Sequence, residues 1–295
     1  MLFHIVPKDS TNVRFLESLN LNPISGNSFR PSSPWLIDFI TDRIFKPGRR
    51  PIKAKVKPLL DRAQMEKLNY RGRQIQTYYW HNDGPLVYLA HGWGSSGLDF
   101  NSMIRPLLES GFSVFTFDGV AHGQSEGRST SFIEYVDLNC YLLQLIRKPD
   151  VMVGHSMGGA ALVNASFELS LHTPLVLIAP MFSIAKVLEG VQKRTKLPRM
   201  VLKSLIRSLE NRFERAVHNL ELIDKVPSLT SPGLIIHDVE DDITYLKNSK
   251  ILHENWPNSQ LVETTGLGHN RIIKDKKVMK QIIEFINQNT RDRND

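Results

Sequence analysis

Five-residue runs of apolar, mostly β-branched or aromatic side chains recur along this chain, and between them apolar residues return at helical spacing. Leu86-Val87-Tyr88-Leu89-Ala90, Ser113 to Phe117, Val151-Met152-Val153, Leu175 to Ala179, Gly233 to His237 and Gln260 to Thr264 have the length and composition of strands, most of them apolar throughout as in a sheet covered on both faces. Asp99 to Glu109, Phe132 to Ile146, Ala160 to Phe167 and Lys276 to Asn289 read as helices. Ahead of them, Lys67 to Tyr70 and Gln74 to Trp80, separated by Arg71-Gly72-Arg73, make a hairpin. Regular alternation of strand and helix means a parallel sheet with helices on both faces.

Two stretches break the alternation. After Ala179 the next strand does not begin until Gly233, and the intervening residues, about 182–231, read as a helical cap: Ser183 to Val191, Pro198 to Leu209 and Arg212 to Leu222. In the middle one, Val201, Leu202, Leu205, Ile206 and Leu209 share a face opposite Arg199, Lys203 and Arg207; that face either lines a pocket or holds the cap down. Residues 1–64 form an N-terminal extension rich in turn formers. It contains one amphipathic helix, Pro34 to Phe45, with Trp35, Leu36, Phe39, Ile40 and Ile44 on its apolar side, followed by an extended basic linker from Pro47 to Pro58. The extension precedes a main domain over 65–295.

At 295 residues, with 41% hydrophobic and 23% charged, the chain is long enough for a sizeable core and has no repeat or low-complexity tract. Cys140 is the only cysteine, so no internal disulfide forms, and its helical setting makes it a buried small hydrophobe; a reducing cytosol fits. No apolar run reaches the ~18 residues of a membrane span, and Met1 to Val6 lacks the form of a secretory signal, so a cytoplasmic location is expected.

The net charge of +7 is unevenly spread. Arg43, Lys46, Arg49, Arg50, Lys53, Lys55 and Lys57 stand without an acid between them, and from Lys186 to Arg215 nine basic residues face Glu189, Glu210 and Glu214. Solvated faces are the usual reason for such runs. Without interleaved stacking aromatics or a DNA-binding motif, no nucleic-acid partner is expected.

The chemistry-bearing residues fall at strand ends. Gly154-His155-Ser156-Met157-Gly158 follows a strand and opens a helix, a sharp turn that needs small neighbours because a Cβ at Gly154 or Gly158 would crowd the adjoining strand and helix. Such a turn holds the Ser156 hydroxyl clear of the sheet as a candidate nucleophile, which then needs a base and oxyanion donors. The other polar strand ends are His91-Gly92-Trp93-Gly94, the run His237-Asp238-Val239-Glu240-Asp241-Asp242, and Gly266-Leu267-Gly268-His269. Ligands bind outside the carboxyl ends of such strands, so these loops converge on Ser156.

With these motifs, in the order serine, acid, histidine, the chain from about Lys67 to the terminal helix resembles the α/β-hydrolase superfamily. The resemblance implies that fold, a mostly parallel sheet with a small helical cap. It implies Ser156 as nucleophile, His269 as general base and then acid, a carboxylate orienting the imidazole, and the amides of Trp93 and Met157 as the oxyanion hole. Asp238, Glu240, Asp241 and Asp242 compete for the acid; Asp241 matches the family position, four residues beyond His237, and Asp238 is second. One departure from the family pattern is Val120, where related loops of the form Asp-x-Pro-x-His-Gly-x-Ser carry proline.

The implied activity is that of a cofactor-free serine hydrolase, carboxylesterase-like, acting on a small-molecule ester or thioester; amide, lactone and carbon–carbon bond hydrolysis use the same triad. His91, His155 and His237 suggest turn packing rather than a metal site, since no His-x-x-x-His or clustered Cys pattern is present. Two other readings stand beside this one: a lipid-directed esterase or lipase whose basic cap and Trp35 helix dock on anionic membrane, and a non-catalytic binding protein on the same fold. Packing of the Trp35 helix on the main domain is favoured over peripheral membrane contact. The acyl chain, the alcohol and the oligomeric state stay open.

Overall fold

Strand alternation divides the apolar residues between two cores. Val87, Leu89, Val114, Val151, Val153, Val176 and Ile236 point to one face of the sheet, and Tyr88, Phe115, Phe117, Met152, Leu177 and Ile235 to the other. The computed structural model describes residues 34–49 and 51–290; the turn-rich stretch before Pro34, the side chains of 34–38 with Trp35 and Leu36 among them, Arg50, and the tail Arg291 to Asp295 lie outside the described residues.

The strands are β1 (Gln64–Tyr70), β2 (Arg73–Trp80), β3 (Leu86–Ala90), β4 (Ser113–Phe117), β5 (Val151–His155), β6 (Leu175–Ile178), β7 (Gly233–Asp238) and β8 (Ser259–Thr264). They lie in the order β1-β2-β4-β3-β5-β6-β7-β8, antiparallel for β1, β2 and β4 and parallel from β4 through to β8. Five adjacent parallel pairings bring the carboxyl ends of β3 to β8 to one edge, where the polar loops sit.

Among the described residues the helices longer than one turn are α1 (Pro34–Ile44), α2 (Asn101–Glu109), α3 (Phe132–Leu145), α4 (Met157–Glu168), α5 (Ile184–Thr195), α6 (Arg199–Phe213), α7 (Leu246–Asn255) and α8 (Lys276–Thr290), and single helical turns occur at Lys57–Leu60 and Gly268–Arg271. Ile104 and Leu107 of α2 and Ile282, Phe285 and Ile286 of α8 cover the first face; Val136 and Leu142 of α3 and the alanines of α4 cover the second. Cys140 is buried within α3, and burial, helped by Glu168, pushes its thiol up to about 12. The sequence did not suggest α7, a weakly apolar helix anchored by Leu252 and followed by Trp256, whose ring fills the space a Cβ on Gly233 would need.

The cap is built from α5 and α6, but the expected third helix over 212–222 is absent. Glu214 takes the left-handed conformation (φ 50°) and ends α6, the Arg215 amide turns back to Glu210 O at 3.1 Å, and the Glu210 carboxylate accepts from the Val217 amide at 2.8 Å. Short 3-10 turns at Val217–Leu220, Leu222–Asp224 and Val226–Ser228 then carry the chain to β7. The extended linker also ends early: Ala54–Val56 and Lys57–Leu60 are helical turns, with Val56 and Leu59 buried and the Trp80 indole donating to Leu59 O at 2.8 Å.

The C-terminal end of α1 packs inward. Phe45 is buried and its carbonyl accepts from the Thr130 amide at 3.0 Å, Ser129 bonds to Asp42, and Arg49 donates to the carbonyls of Ser125 and Gly127 at 2.7 and 2.9 Å. Val120 is fully buried in the loop where related chains carry proline; the loop is closed instead by Asp118, which accepts from the Gly97 and Gln124 amides and the Tyr78 hydroxyl.

Candidate active site

Ser156 stands between β5 and α4 with φ 54° and ψ −118°, a strained conformation for a residue with a side chain. The strain is held by the packing beneath it. A Cβ on Gly158 would come within 2.0 Å of Ala90 O, and one on Gly154 within 2.5 Å of Gly159 Cα, so strand and helix approach at the turn only because both are glycine. Backbone bonds lock the tip: the Ser156 amide donates to Ile178 O at 2.9 Å and its carbonyl accepts from Met181 N at 3.1 Å.

Asp241 follows β7 and His269 follows β8. His269 Nδ1 donates to Asp241 Oδ2 at 2.7 Å, which in the neutral ring leaves the Nε2 lone pair free to accept a proton. The carboxylate is otherwise well furnished: Oδ1 accepts from the amides of Ile243 (2.8 Å) and Thr244 (2.9 Å), and Oδ2 lies 2.9 Å from the Thr244 hydroxyl and 3.4 Å from His237 Nε2. Burial alone would raise this carboxyl, but hydrogen bonds from His237, His269 and the Thr244 amide outweigh it and hold the group far below the usual carboxylate range.

The other acids are turned away. Asp238 accepts from the Glu240 amide at 3.0 Å, the Thr264 hydroxyl at 2.7 Å and the Leu267 amide at 3.1 Å, tying β7 to the loop before His269. Glu240 and Asp242 are exposed. Of the four acids, Asp241 is the one hydrogen-bonded to His269.

Three imidazoles are buried around the elbow. His91 Nε2 accepts from Gly119 N at 2.9 Å while Nδ1 donates to Gly92 O, and His122 Nε2 accepts from Gly94 N at 3.1 Å while Nδ1 donates to Val120 O. His155 Nε2 donates to the carbonyl of His269 at 2.9 Å, a link between nucleophile turn and histidine loop that nothing in the sequence pattern marked. Burial pushes His91 down to about 4; burial, helped by His91 beside His122 and His269 beside His155, pushes the latter two down to about 3. His237 donates from Nε2 to Thr244 O at 2.6 Å and accepts at Nδ1 from Ser249. No group suited to hold a metal occurs among the described residues.

Ser156 and Met157 open on a cavity of ≈ 550 Å³. Trp93, Phe182, Ile206 and Leu209 line it, together with Thr244 and, from the N-terminal helix, Ile44 and Phe45. The apolar face of α6 therefore serves the pocket as well as the cap. Met157 is the first residue of α4, so its amide has no carbonyl behind it in the helix, and Gly92 packs against Ser156 immediately before Trp93. Thr244 was not singled out from sequence, and Ile44 and Phe45 were placed only on an amphipathic helix and not at the pocket; an Asp followed three residues later by Thr is the local signal that could have found Thr244.

A family model described as serine aminopeptidase, S33, matches residues 82–228, the span from β3 through the elbow and the cap. The chain is an α/β hydrolase. This hydrolase is 26% identical to the monoglyceride lipase of Rattus norvegicus over 233 residues, covering 64% of this chain and 77% of that protein. It is 24% identical over 265 residues to the uncharacterized hydrolase YugF of Bacillus subtilis, covering 72% and 94%. Its fold superposes on the Pyrococcus furiosus esterase Pf2001 with a TM-score of 0.63 at 20% identity, covering 83% of this chain and 99% of that one. It is thus esterase- or lipase-like in family. No helix among the described residues is long and apolar enough to cross a membrane.

Proposed function

We propose that this hydrolase cleaves a carboxylic ester or thioester through an acyl-enzyme on Ser156. His269 Nε2 takes the hydroxyl proton as Oγ attacks the carbonyl carbon, and the oxyanion is met by the amides of Trp93 and Met157. The same nitrogen then gives its proton to the departing alcohol or thiol as the bond to it breaks. Water, deprotonated by His269 in turn, attacks the acyl carbon and frees Ser156. Asp241 keeps its negative charge throughout, fixing the tautomer and stabilising the imidazolium.

The observations that carry this reading are the 2.7 Å bond from His269 Nδ1 to a carboxylate held ionised and a strained serine that faces a largely apolar cavity. Fluorophosphonate labelling with peptide mapping, together with hydrolysis of p-nitrophenyl esters of graded chain length, tests it. Labelling confined to Ser156 and loss of turnover in Ser156→Ala are expected. Folded protein that neither labels nor cleaves any ester in the series would overturn it.

A second reading, a lipid-directed esterase, is favoured by one feature. Trp93, Val187, Ile243 and Tyr245 line the cavity and are 40–60% exposed, an apolar rim suited to an acyl chain drawn from an aggregate. The rat relative is by name a monoglyceride lipase. Sedimentation with anionic liposomes at low and high salt tests it, and protein that stays in the supernatant at low salt excludes it.

A further inference from the structure

One polar side chain in the cavity wall has no task in the fold. Asn248 is the third residue of α7 and lines the cavity at 7% exposure. Its backbone amide is spent on Tyr245 O at 2.9 Å, but its carboxamide makes no hydrogen bond among the described residues. Buried carboxamides elsewhere in the chain are bonded, as is usual: Asn139 donates to Tyr135 O at 2.7 Å and Asn164 to Ala160 O at 2.9 Å. The unpaired hydroxyls of Ser166 and Ser231 are sealed in the interior, whereas the Asn248 carboxamide is not, so it meets the space of the cavity.

Packing alone would ask for an apolar residue there. Leu252, one turn on and on the same face, anchors α7, and leucine at 248 would extend that anchor into a stripe. Asparagine is also a weak former of helix. The hydroxyls of the same wall are occupied: Ser131 accepts from the Glu134 amide where α3 starts, Ser183 from the Lys186 amide where α5 starts, and Thr244 lies against Asp241 and Ala179 O. Asn248 is therefore, among the described residues, the buried side chain of the lining with both a donor and an acceptor unspent. It follows Thr244, whose hydroxyl lies 3.2 Å from His269 Nδ1, which puts this polar point on the triad's side of the cavity. An apolar chain laid over it would leave both polar atoms unpaired and lose affinity, and a neutral carboxamide suits a neutral partner.

We propose that Asn248 is a specificity residue of this hydrolase: its carboxamide bonds a hydroxyl carried by the ester, while the remaining hydrocarbon fills the apolar lining. The substrate class is then a hydroxylated aliphatic ester. This rests on the assignment of Ser156 as the nucleophile of an esterase.

The test compares pairs in which a methyl replaces the hydroxyl: propyl 6-hydroxyhexanoate with propyl heptanoate for the acyl side, and 4-hydroxybutyl pentanoate with pentyl pentanoate for the alcohol side. Binding is measured calorimetrically on Ser156→Ala, so the outcome does not depend on turnover. Because a hydroxyl is better hydrated than a methyl, the informative quantity is how the ratio of the two dissociation constants, hydroxyl over methyl, changes when Asn248→Leu is added. That ratio is expected to rise roughly tenfold in at least one pair, the size of one hydrogen bond gained or lost. A rise in the first pair assigns the hydroxyl to the acyl chain, and a rise in the second assigns it to the alcohol.

A ratio unchanged by the substitution in both pairs overturns the proposal. General loosening of the pocket would weaken both members of a pair alike and so leave the ratio where it was. Circular dichroism and a melting curve establish that each variant is folded, and Asn248→Ala, which removes the carboxamide without filling its place, carries the same measurement should leucine not fit. Failure of the esterase reading shows separately, as absence of fluorophosphonate labelling at Ser156 in the unsubstituted protein.

Discussion

Acidification from about pH 8 to about pH 5.5 protonates histidines in the unfolded chain that the fold holds neutral, and stability is expected to fall accordingly. His91 is held near 4, and His122 and His155 near 3, against 6.5 for an ordinary imidazole. The sign follows from proton counting: below 6.5 the unfolded state binds more protons than the native state, so lowering the pH favours unfolding until the folded values are reached. At about pH 5.5 each such histidine costs about 1.4 kcal/mol, and the three together about 4 kcal/mol, against a total stability of about 5–15 kcal/mol for a typical domain. Asp241, held low, contributes stability that is lost only below the ordinary carboxylate range and lies outside this window. Asp118, Glu134 and Glu221, all raised by burial, act in the opposite sense and offset part of the loss.

The sharper quantity is therefore a difference, in which the carboxylates cancel. His122→Gln keeps a group able to accept from Gly94 and donate to Val120, and removes one titrating imidazole. Urea unfolding followed by tryptophan fluorescence, at four pH values across the window, should show the variant losing about 1.4 kcal/mol less than the wild type. Parallel curves, with one constant offset between the two proteins at every pH, would refute the reasoning, because His122 would then titrate alike in the fold and in the unfolded chain.

Asp241→Asn is expected to lower kcat about a thousandfold or more by leaving the imidazole without its orienting anion, whereas Asp238→Asn should cost about 1–3 kcal/mol in urea melts and keep most of kcat. Equal kinetic loss in both variants would return the choice of acid to the open. Gly158→Ala places a Cβ 2.0 Å from Ala90 O, so a loss of about 4 kcal/mol or insoluble expression is expected; a variant that melts like wild type would mean the turn can open. His155→Leu removes the donor to His269 O and should reduce kcat roughly tenfold with little change in KM, while His155→Gln recovers part of it; equal effects on kcat and KM would point to general loosening.

The centre of the sheet was legible because β3 to β7 are buried along their whole length and mostly apolar, and because Gly154 and Gly158 declare a tight turn that residues with side chains could not make. What the pattern could not carry was the direction of a chain once it leaves regular structure. Residues 212–222 have helical spacing, yet Glu214 turns left-handed and the Glu210 carboxylate bonds forward to Val217, so a side-chain contact ends the helix that periodicity continues. Helix α7 went unread for the opposite reason, since only Leu252 and the following Trp256 give it a buried apolar side. The pocket is composite: Ile44 and Phe45 reach it from a helix more than a hundred residues before Ser156, and no spacing rule relates them.

The ambiguity among the acids shows what local structure adds. Asp238 and Asp241 are both buried at the end of β7, three residues apart, and either could be drawn beside a histidine. The turn between them decides it. Asp238 remains in register with β8 and is consumed by Thr264 and the Leu267 amide, while the reversal at Ile243 and Thr244 aims two amides back at Asp241 Oδ1 and leaves Oδ2 for His269. Because Oδ1 is pinned by backbone, the carboxylate cannot rotate without breaking its own turn, which suits an anion that orients an imidazole and keeps its charge. Thr244 completes the arrangement: its hydroxyl touches Asp241 Oδ2 and Ala179 O, its carbonyl accepts from His237, and it also lines the cavity, so one residue both faces the cavity and holds Asp241 in place.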